Sequence, residues 1–372
     1  MTTNLTTPVM PDSADLQDLR ELACSIFDKY VADALTVPET ALPFDRPLWE
    51  TLSESGLTLL TTPVSAGGSG AGIAEAAVVL LAAGEYAAPV PLAETDLLAA
   101  WLLTAAQLDV PAGPLTSGVC EATIELADAG DVHLAGTVLG VPWAASCDRV
   151  IVLATTADGD VVCSIPVDRC SVLPGHNLAR EPRDDLRFDL VLPRECVVAV
   201  PDALSAEWLL RGALARTAQT CGAMESALTL TIDHASQRIQ FGRPLGRFQA
   251  VQHLVADAAG EVTAARAAFE VAVRAAVLEP ITGPAATLAI AIAKSQAARA
   301  AVVVSRAAHQ VHGAIGFTLD HQLRHFTLRM LAWRGEFGGA REWERRVGDI
   351  ALRPEGGDLW SLVSSGRPDP AP

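Results

Sequence analysis

Three long stripes of apolar residues, repeating every three or four positions, constrain this chain more than any other feature. Leu210, Leu214, Ala218, Cys221, Met224, Leu228 and Ile232 form the first. Phe248, Val251, Val255, Ala258, Val262, Ala265, Phe269, Ala272 and Ala276 form the second, and Leu288, Ala291, Ser295, Ala298, Val302 and Ser305 the third. That spacing puts each set on one face of an α-helix. With a shorter closing helix near residues 340–352, the three predict an antiparallel four-helix bundle across residues 201–372.

Alanine makes such a bundle easy to build. Half of the 372 residues are hydrophobic but only 5% are aromatic, and alanine combines high helix propensity with close helix approach. Residues 1–115 also read as helical, with a Gly-rich break at "SAGGSGAG" (65–72). Between them the texture changes. "DVHLAGTVLGVPWAASCDRVIVLATTADGDVVCSIPV" (131–167) is rich in Val, Ile and Thr and turns at Asp158-Gly159, so residues 116–200 read as a small β-barrel or sandwich. The fold class is mostly α with a central β domain: N-terminal helical domain, middle β domain, C-terminal four-helix bundle.

A net charge of −17 argues against nucleic-acid or anionic-membrane partners. Seven scattered cysteines without a Cys-x-x-Cys pair read as thiols in a reducing compartment. "MTTNLTTPVMPDS" lacks the basic and apolar segments of a signal peptide. The apolar stretch Val78–Ala106 is interrupted by Glu85, Pro89, Pro91 and Glu94, so it reads as buried helices. A cytoplasmic protein is expected.

Two stretches carry chemistry. In "RIQFGRPLGRFQAVQ" (238–252), Gly242 and Pro244 break a helix that ends near Arg238, and Phe248 opens the next. A guanidinium beside an exposed aromatic and amide side chains suits a phosphate carrying a ring system; a helix-capping arginine in an ordinary corner is the competing reading. In "HQVHGAIGFTLDHQLRHF" (309–326), Gln310 and His312 precede Gly313 and Gly316, where backbone amides can approach a ligand closely. Six of the eight histidines lie beyond residue 230, but their spacing in sequence suggests no metal set. Asp320 reads as a cap or salt-bridge partner.

These two stretches, with "WETLSESGLTLLTTPVSAGGSGAG" (49–72), resemble the acyl-CoA dehydrogenase family over nearly the whole chain. The resemblance implies FAD, an acyl-CoA substrate, a tetramer built as a dimer of dimers, and an acceptor such as an electron-transfer flavoprotein. It also implies that Arg238, Gln240, Phe241, Gln249, Gln310, Gly313 and Ala314 hold the diphosphate and adenosine of a FAD whose flavin lies on a neighbouring subunit.

Other family features are missing. "VCEATIELADAGD" (119–131) lacks the Thr-Glu-x-x-x-Gly-Ser segment that opens the family's β domain. Where the family has Trp-Ile-Thr, the chain has Gly140-Val141-Pro142, and Pro142 offers neither hydroxyl nor N–H; nearby Trp143 reads as a shielding or core residue. Phe337 falls at the usual position of the catalytic glutamate, with Glu336 adjacent, and Gly212 falls at the alternative position on the first bundle helix. The chain therefore resembles the shorter subunits of bacterial heterotetrameric enzymes that dehydrogenate CoA thioesters of steroid side chains. A self-sufficient homomer using Glu336 as base, and a non-catalytic scaffold, are the alternatives.

Overall fold

A computed structural model describes residues 10–31, 41–126, 131–319, 321–352 and 359–366. The chain divides into two compact units: residues up to 24 with 72–87 and 213 onward, and residues 25–71 with 88–212. Asp320 lies outside the described residues.

The second unit holds the seven-stranded sheet. β1 (Leu115–Leu126), β2 (Val132–Pro142), β3 (Arg149–Thr156), β4 (Gly159–Pro166), β5 (Ser171–Leu173), β6 (Arg183–Leu192) and β7 (Val197–Ala199) form one sheet of order β5-β6-β2-β1-β3-β4-β7. The first half of β1 runs parallel to β3 and its second half antiparallel to β2, so one strand joins two differently facing halves. Between them Val132, Leu134, Val150, Val152, Leu186 and Phe188 form the core. On the outer side Leu115, Ile151, Leu153 and Val162 pack on Ala99, Leu102 and Leu103, which belong to a buried π-helical turn (Glu94–Ala100) and a short helix (Trp101–Ala105). Asp96 pins that turn. Its carboxylate accepts the Thr61 and Thr62 amides and the Thr62 hydroxyl at 2.9–3.2 Å, although burial raises its pKa.

The first unit is the bundle. It holds the first part of α1 (Ser13–Val31, up to residue 24), α3 (Ile73–Glu85), α5 (Ala203–Gln237, from residue 213 onward), α6 (Gln249–Leu278), α7 (Pro284–His312), α8 (Leu323–Trp333), α9 (Ala340–Ala351) and α10 (Leu359–Ser365), while α2 (Arg46–Glu54) and the short helix α4 (Trp101–Ala105) belong to the second unit. The apolar stripes largely mark the buried faces. On α6, Ala258, Val262, Ala265, Phe269, Ala272 and Ala276 are all buried. The stripes drift at their ends: Ile232 and Val302 are exposed, while Ala235 and Val304 are buried in their places. α7 is long and apolar enough to cross a membrane, but two-thirds of its apolar window is buried inside the protein, which suits a core helix. Most of the Val78–Ala106 stretch is likewise buried. α3 joins the bundle through glycines: a Cβ on Gly84 would strike the Gln219 carbonyl, and one on Gly222 the Leu81 carbonyl.

Candidate functional site

The 238–252 stretch folds into a feature that the sequence reading did not anticipate. Between α5 and α6, β8 (Ile239–Gln240) and β9 (Arg243–Pro244) pair as a minimal hairpin. Its two turn residues, Phe241 and Gly242, have φ of 51° and 79°. A two-residue hairpin favours positive φ at both turn positions, and glycine adopts that conformation freely. Phenylalanine does so at a cost of about 1–2 kcal/mol. That strained ring is 92% exposed. It is supported from behind, since the Phe248 ring meets it edge-on at 6.1 Å and the Arg243 guanidinium lies 4.2 Å from Phe248. Arg238, Gln240 and Gln249 are also exposed. Among the described residues the Arg238 side chain has no hydrogen bond or ion pair.

The second stretch closes α7. Gly313, with φ 65° and ψ −145°, leaves the helix in a conformation suited to glycine, and a short 3₁₀ turn follows to Phe317. Gln310, Gly313 and Ala314 are exposed. Histidines join the two stretches: the His234 ring at the end of α5 stacks on His312 at the end of α7, 4.4 Å between centroids. The seven residues expected to hold a cofactor thus belong to neighbouring, outward-facing segments of one unit.

The position expected of the base is built differently. The Glu336 carboxylate accepts the Arg216 Nε–H at 2.7 Å, and a second guanidinium nitrogen of Arg216 donates to Gln219 at 2.5 Å. Arg216 is buried and lies 5.9 and 5.8 Å from the Trp333 and Phe337 ring centroids. Phe337 has a φ of 55° and its carbonyl accepts the Trp343 indole N–H at 3.0 Å. The buried Lys294 amino group donates to the Trp333 carbonyl at 2.8 Å. Burial brings its pKa down to about 7, assisted by Arg216 and opposed by Glu336. The Glu336 carboxylate is thus engaged by a buried guanidinium instead of standing free in an open site.

Sequence reasoning missed Arg216, Gln219 and Lys294. Their signal was a charge inside an apolar helix: Arg216 within the first stripe, and one of the chain's two lysines within α7.

In the strand-bearing unit, Gly140 (φ 62°) sits in a bulge of β2, its N–H donated to Asp185 at 2.8 Å. Pro142 ends the strand. Trp143 is buried with Leu42, Phe44 and Cys147. Beside Gly212, Arg211 pairs with Glu207 at 2.8 Å and lies 4.5 Å from the Trp101 ring; burial lowers its pKa.

Comparison with known proteins identifies the lineage. Residues 13–107 match the model of the acyl-CoA dehydrogenase N-terminal domain and residues 203–349 that of the C-terminal domain, together more than half of the chain. The chain belongs to the acyl-CoA dehydrogenase family. It is 29% identical to the acyl-CoA dehydrogenase IpdE2 of Mycolicibacterium smegmatis over 338 residues, covering 90% of this chain and 98% of that one. It is also 29% identical to FadE27 of Mycobacterium tuberculosis, covering 87% and 95% respectively. Among solved structures it superposes on the ChsE4-ChsE5 complex of Mycobacterium tuberculosis with a TM-score of 0.83 and 27% identity, covering 93% of this chain and 99% of the other. A Tcur3481-Tcur3483 steroid acyl-CoA dehydrogenase variant gives 0.77 and 27%, covering 95% and 99%. Butyryl-CoA dehydrogenase of Megasphaera elsdenii, at 0.80 and 21%, covering 95% and 100%, shares the fold.

Proposed function

We propose that this chain is the partner subunit of a heteromeric, FAD-dependent acyl-CoA dehydrogenase. It supplies the grip on the diphosphate and adenosine of a cofactor whose flavin ring lies on a different subunit. The observation that carries this reading is an asymmetry within the bundle: an open, cationic, aromatic corner at the C-terminal end of α5, and, farther back along the same helix, a base position filled by Phe337 and an Arg216–Glu336 ion pair.

The corner fits the distal half of a dinucleotide. Arg238 offers an unpaired guanidinium, and Gln240, Gln249 and Gln310 offer exposed amides. Phe241 offers an aromatic face, and Gly313 and Ala314 an exposed backbone turn. None of the seven is a carboxylate that would repel a diphosphate. Arg238 neutralises that anion and can reach it in bidentate fashion, while Phe241 covers the flat ring system and excludes water. The residues of this corner would hold FAD, whose chemistry would be to take up the β-hydrogen of the acyl thioester as hydride. The α-proton requires a free carboxylate, and Glu336, tied to Arg216, does not offer one; in this reading the base belongs to the other subunit. The likeness to a chain of the ChsE4-ChsE5 complex supports the heteromeric assembly, and the likeness to the Tcur3481-Tcur3483 steroid acyl-CoA dehydrogenase supports a bulky, ring-bearing acyl group. A cytoplasmic dimer of dimers that passes electrons to an electron-transfer flavoprotein completes the proposal.

The test is to purify the chain alone and together with a longer acyl-CoA dehydrogenase chain encoded beside it, and to record both visible spectra. The expected result is a colourless lone chain and a yellow pair that acyl-CoA bleaches. One bleachable FAD per chain without a partner would instead make this a self-sufficient enzyme, with Glu336 as its base. A pair that assembles but shows no turnover would make the chain a scaffold.

A further inference from the structure

We propose that His234, His312 and His321 form a binding site for a zinc-class divalent cation, which ties together the three segments behind the exposed corner. These residues are 78 and 9 positions apart in sequence, too irregular for a metal motif. The fold nevertheless brings one ligand nitrogen from each to within 4.8 Å of the others. His234 comes from the last turn of α5, His312 from the end of α7, and His321 from just before α8.

His312 is the anchor. It is 5% exposed, and its Nδ1 lies 2.8 Å from the Ala308 carbonyl. A carbonyl only accepts, so Nδ1 carries the proton and the lone pair sits on Nε2. That Nε2 is buried and, among the described residues, has no hydrogen-bond partner. A buried polar atom without a partner is uncommon and needs an explanation. An imidazole that donates one N–H to a backbone carbonyl while presenting the other nitrogen is the usual arrangement of a metal-ligating histidine.

The two outer rings must adjust. His234 stacks on His312 with 25° between their planes, and nearly parallel rings direct their lone pairs side by side, so His234 has to turn about its Cβ–Cγ bond. His321 meets His312 at 73°, and its Nδ1 accepts the Leu323 amide at 3.1 Å. Exchanging that bond for the cation frees its lone pair. Both rings are partly exposed, so such rotations are not blocked by core packing. Tetrahedral coordination at about 2.1 Å requires nitrogen separations of about 3.4 Å, and three imidazoles leave a fourth position for water. An all-imidazole set suits zinc, copper, nickel or cobalt rather than magnesium or calcium.

The test is equilibrium dialysis of the full chain against Zn²⁺ with metal analysis, followed by Co²⁺ substitution read in the visible spectrum. The expected result is one Zn²⁺ per chain and a tetrahedral Co²⁺ spectrum without a thiolate charge-transfer band. His321→Ala and His234→Ala should each weaken binding at least about 100-fold, by analogy with the 10–100-fold losses seen when mere supporting contacts are removed. His253→Ala, which alters an exposed histidine outside the cluster, should leave binding unchanged. Binding that survives both cluster variants, a thiolate band, or no stoichiometric Zn²⁺ would overturn the proposal.

Discussion

Glu336 and Lys294 separate what a residue type suggests from what its surroundings permit. A glutamate one position from the expected base invites a catalytic reading, yet this one is 20% exposed and its partner Arg216 only 3%. Removing one member of a buried ion pair leaves the other charge uncompensated, typically at a cost of 3–5 kcal/mol. Glu336→Gln should therefore lower stability by about that amount in urea unfolding, while kcat and its pH profile in the assembled enzyme stay within a few-fold. A loss of several orders of magnitude in kcat with the fold intact would mark Glu336 as the base. Lys294 gives a second measurable consequence. Burial holds its pKa at about 7 against an ordinary 10.5. Above pH 10.5 the amine is neutral whether the chain is folded or not, whereas between 10.5 and about 7 only the unfolded chain takes up the proton. The contribution of Lys294 to stability should fall as pH drops through that window, by at most about 1.4 kcal/mol per pH unit. Buried thiols such as Cys163 and Cys221, whose pKa burial raises, act in the opposite direction over the same range, so the check is the difference between the two unfolding curves: wild type should lose stability relative to Lys294→Met as pH falls from 10.5 to about 7.

At the scale of elements, contact between α3 and α5 depends on two glycines. Gly84 and Gly222 let the backbones approach so closely that an added methyl would meet a carbonyl from the other helix. Gly84→Ala gains helix propensity, roughly 1 kcal/mol, but must push the helices apart, and overpacking typically costs 1–3 kcal/mol. The net expectation is a modest loss of stability, measured by thermal unfolding; an increase would mean that the crossing is loose. The sequence made the long helices legible because α6 and α7 carry apolar residues at helical spacing along most of their length, buried on α6 from Ala258 to Ala276 and on α7 from Ala286 to His312. It concealed α8, whose buried Leu323, Phe326, Met330 and Trp333 are too few turns to stand out beside a Gly-rich motif. The hairpin at 239–244 was hidden for another reason. Gly242 and Pro244 signal a break, but nothing in the sequence indicates that Phe241 adopts a left-handed backbone. The stretches 238–252 and 309–326 stood out because their polar and glycine residues lie close together in sequence, whereas Arg216, Lys294 and the histidine cluster find their partners only through tertiary packing.

For the whole molecule, the charge distribution sharpens the reading of the corner. A chain of net charge −17 repels a dinucleotide diphosphate on average. Within one ten-residue segment, however, Arg238, Arg243 and Arg247 are all exposed, giving a local cationic patch on an acidic protein. A hydrogen bond involving a charged group contributes about 1.5–3 kcal/mol, so Arg238→Ala should weaken FAD retention by the assembled enzyme roughly 10- to 150-fold. The release of flavin fluorescence on dilution would measure it. Because Arg238 is exposed, its contribution should shrink as added salt shortens the Debye length from about 10 Å at 0.1 M toward 3 Å at 1 M. Wild-type and variant retention should therefore converge at high ionic strength. Phe241→Asn provides the complementary case: asparagine tolerates the left-handed backbone, so the fold should be as stable or slightly more so while FAD retention still falls. If both variants kept FAD as tightly as wild type at low salt, the corner would be an ordinary helix junction and the divided cofactor site would lose its main support.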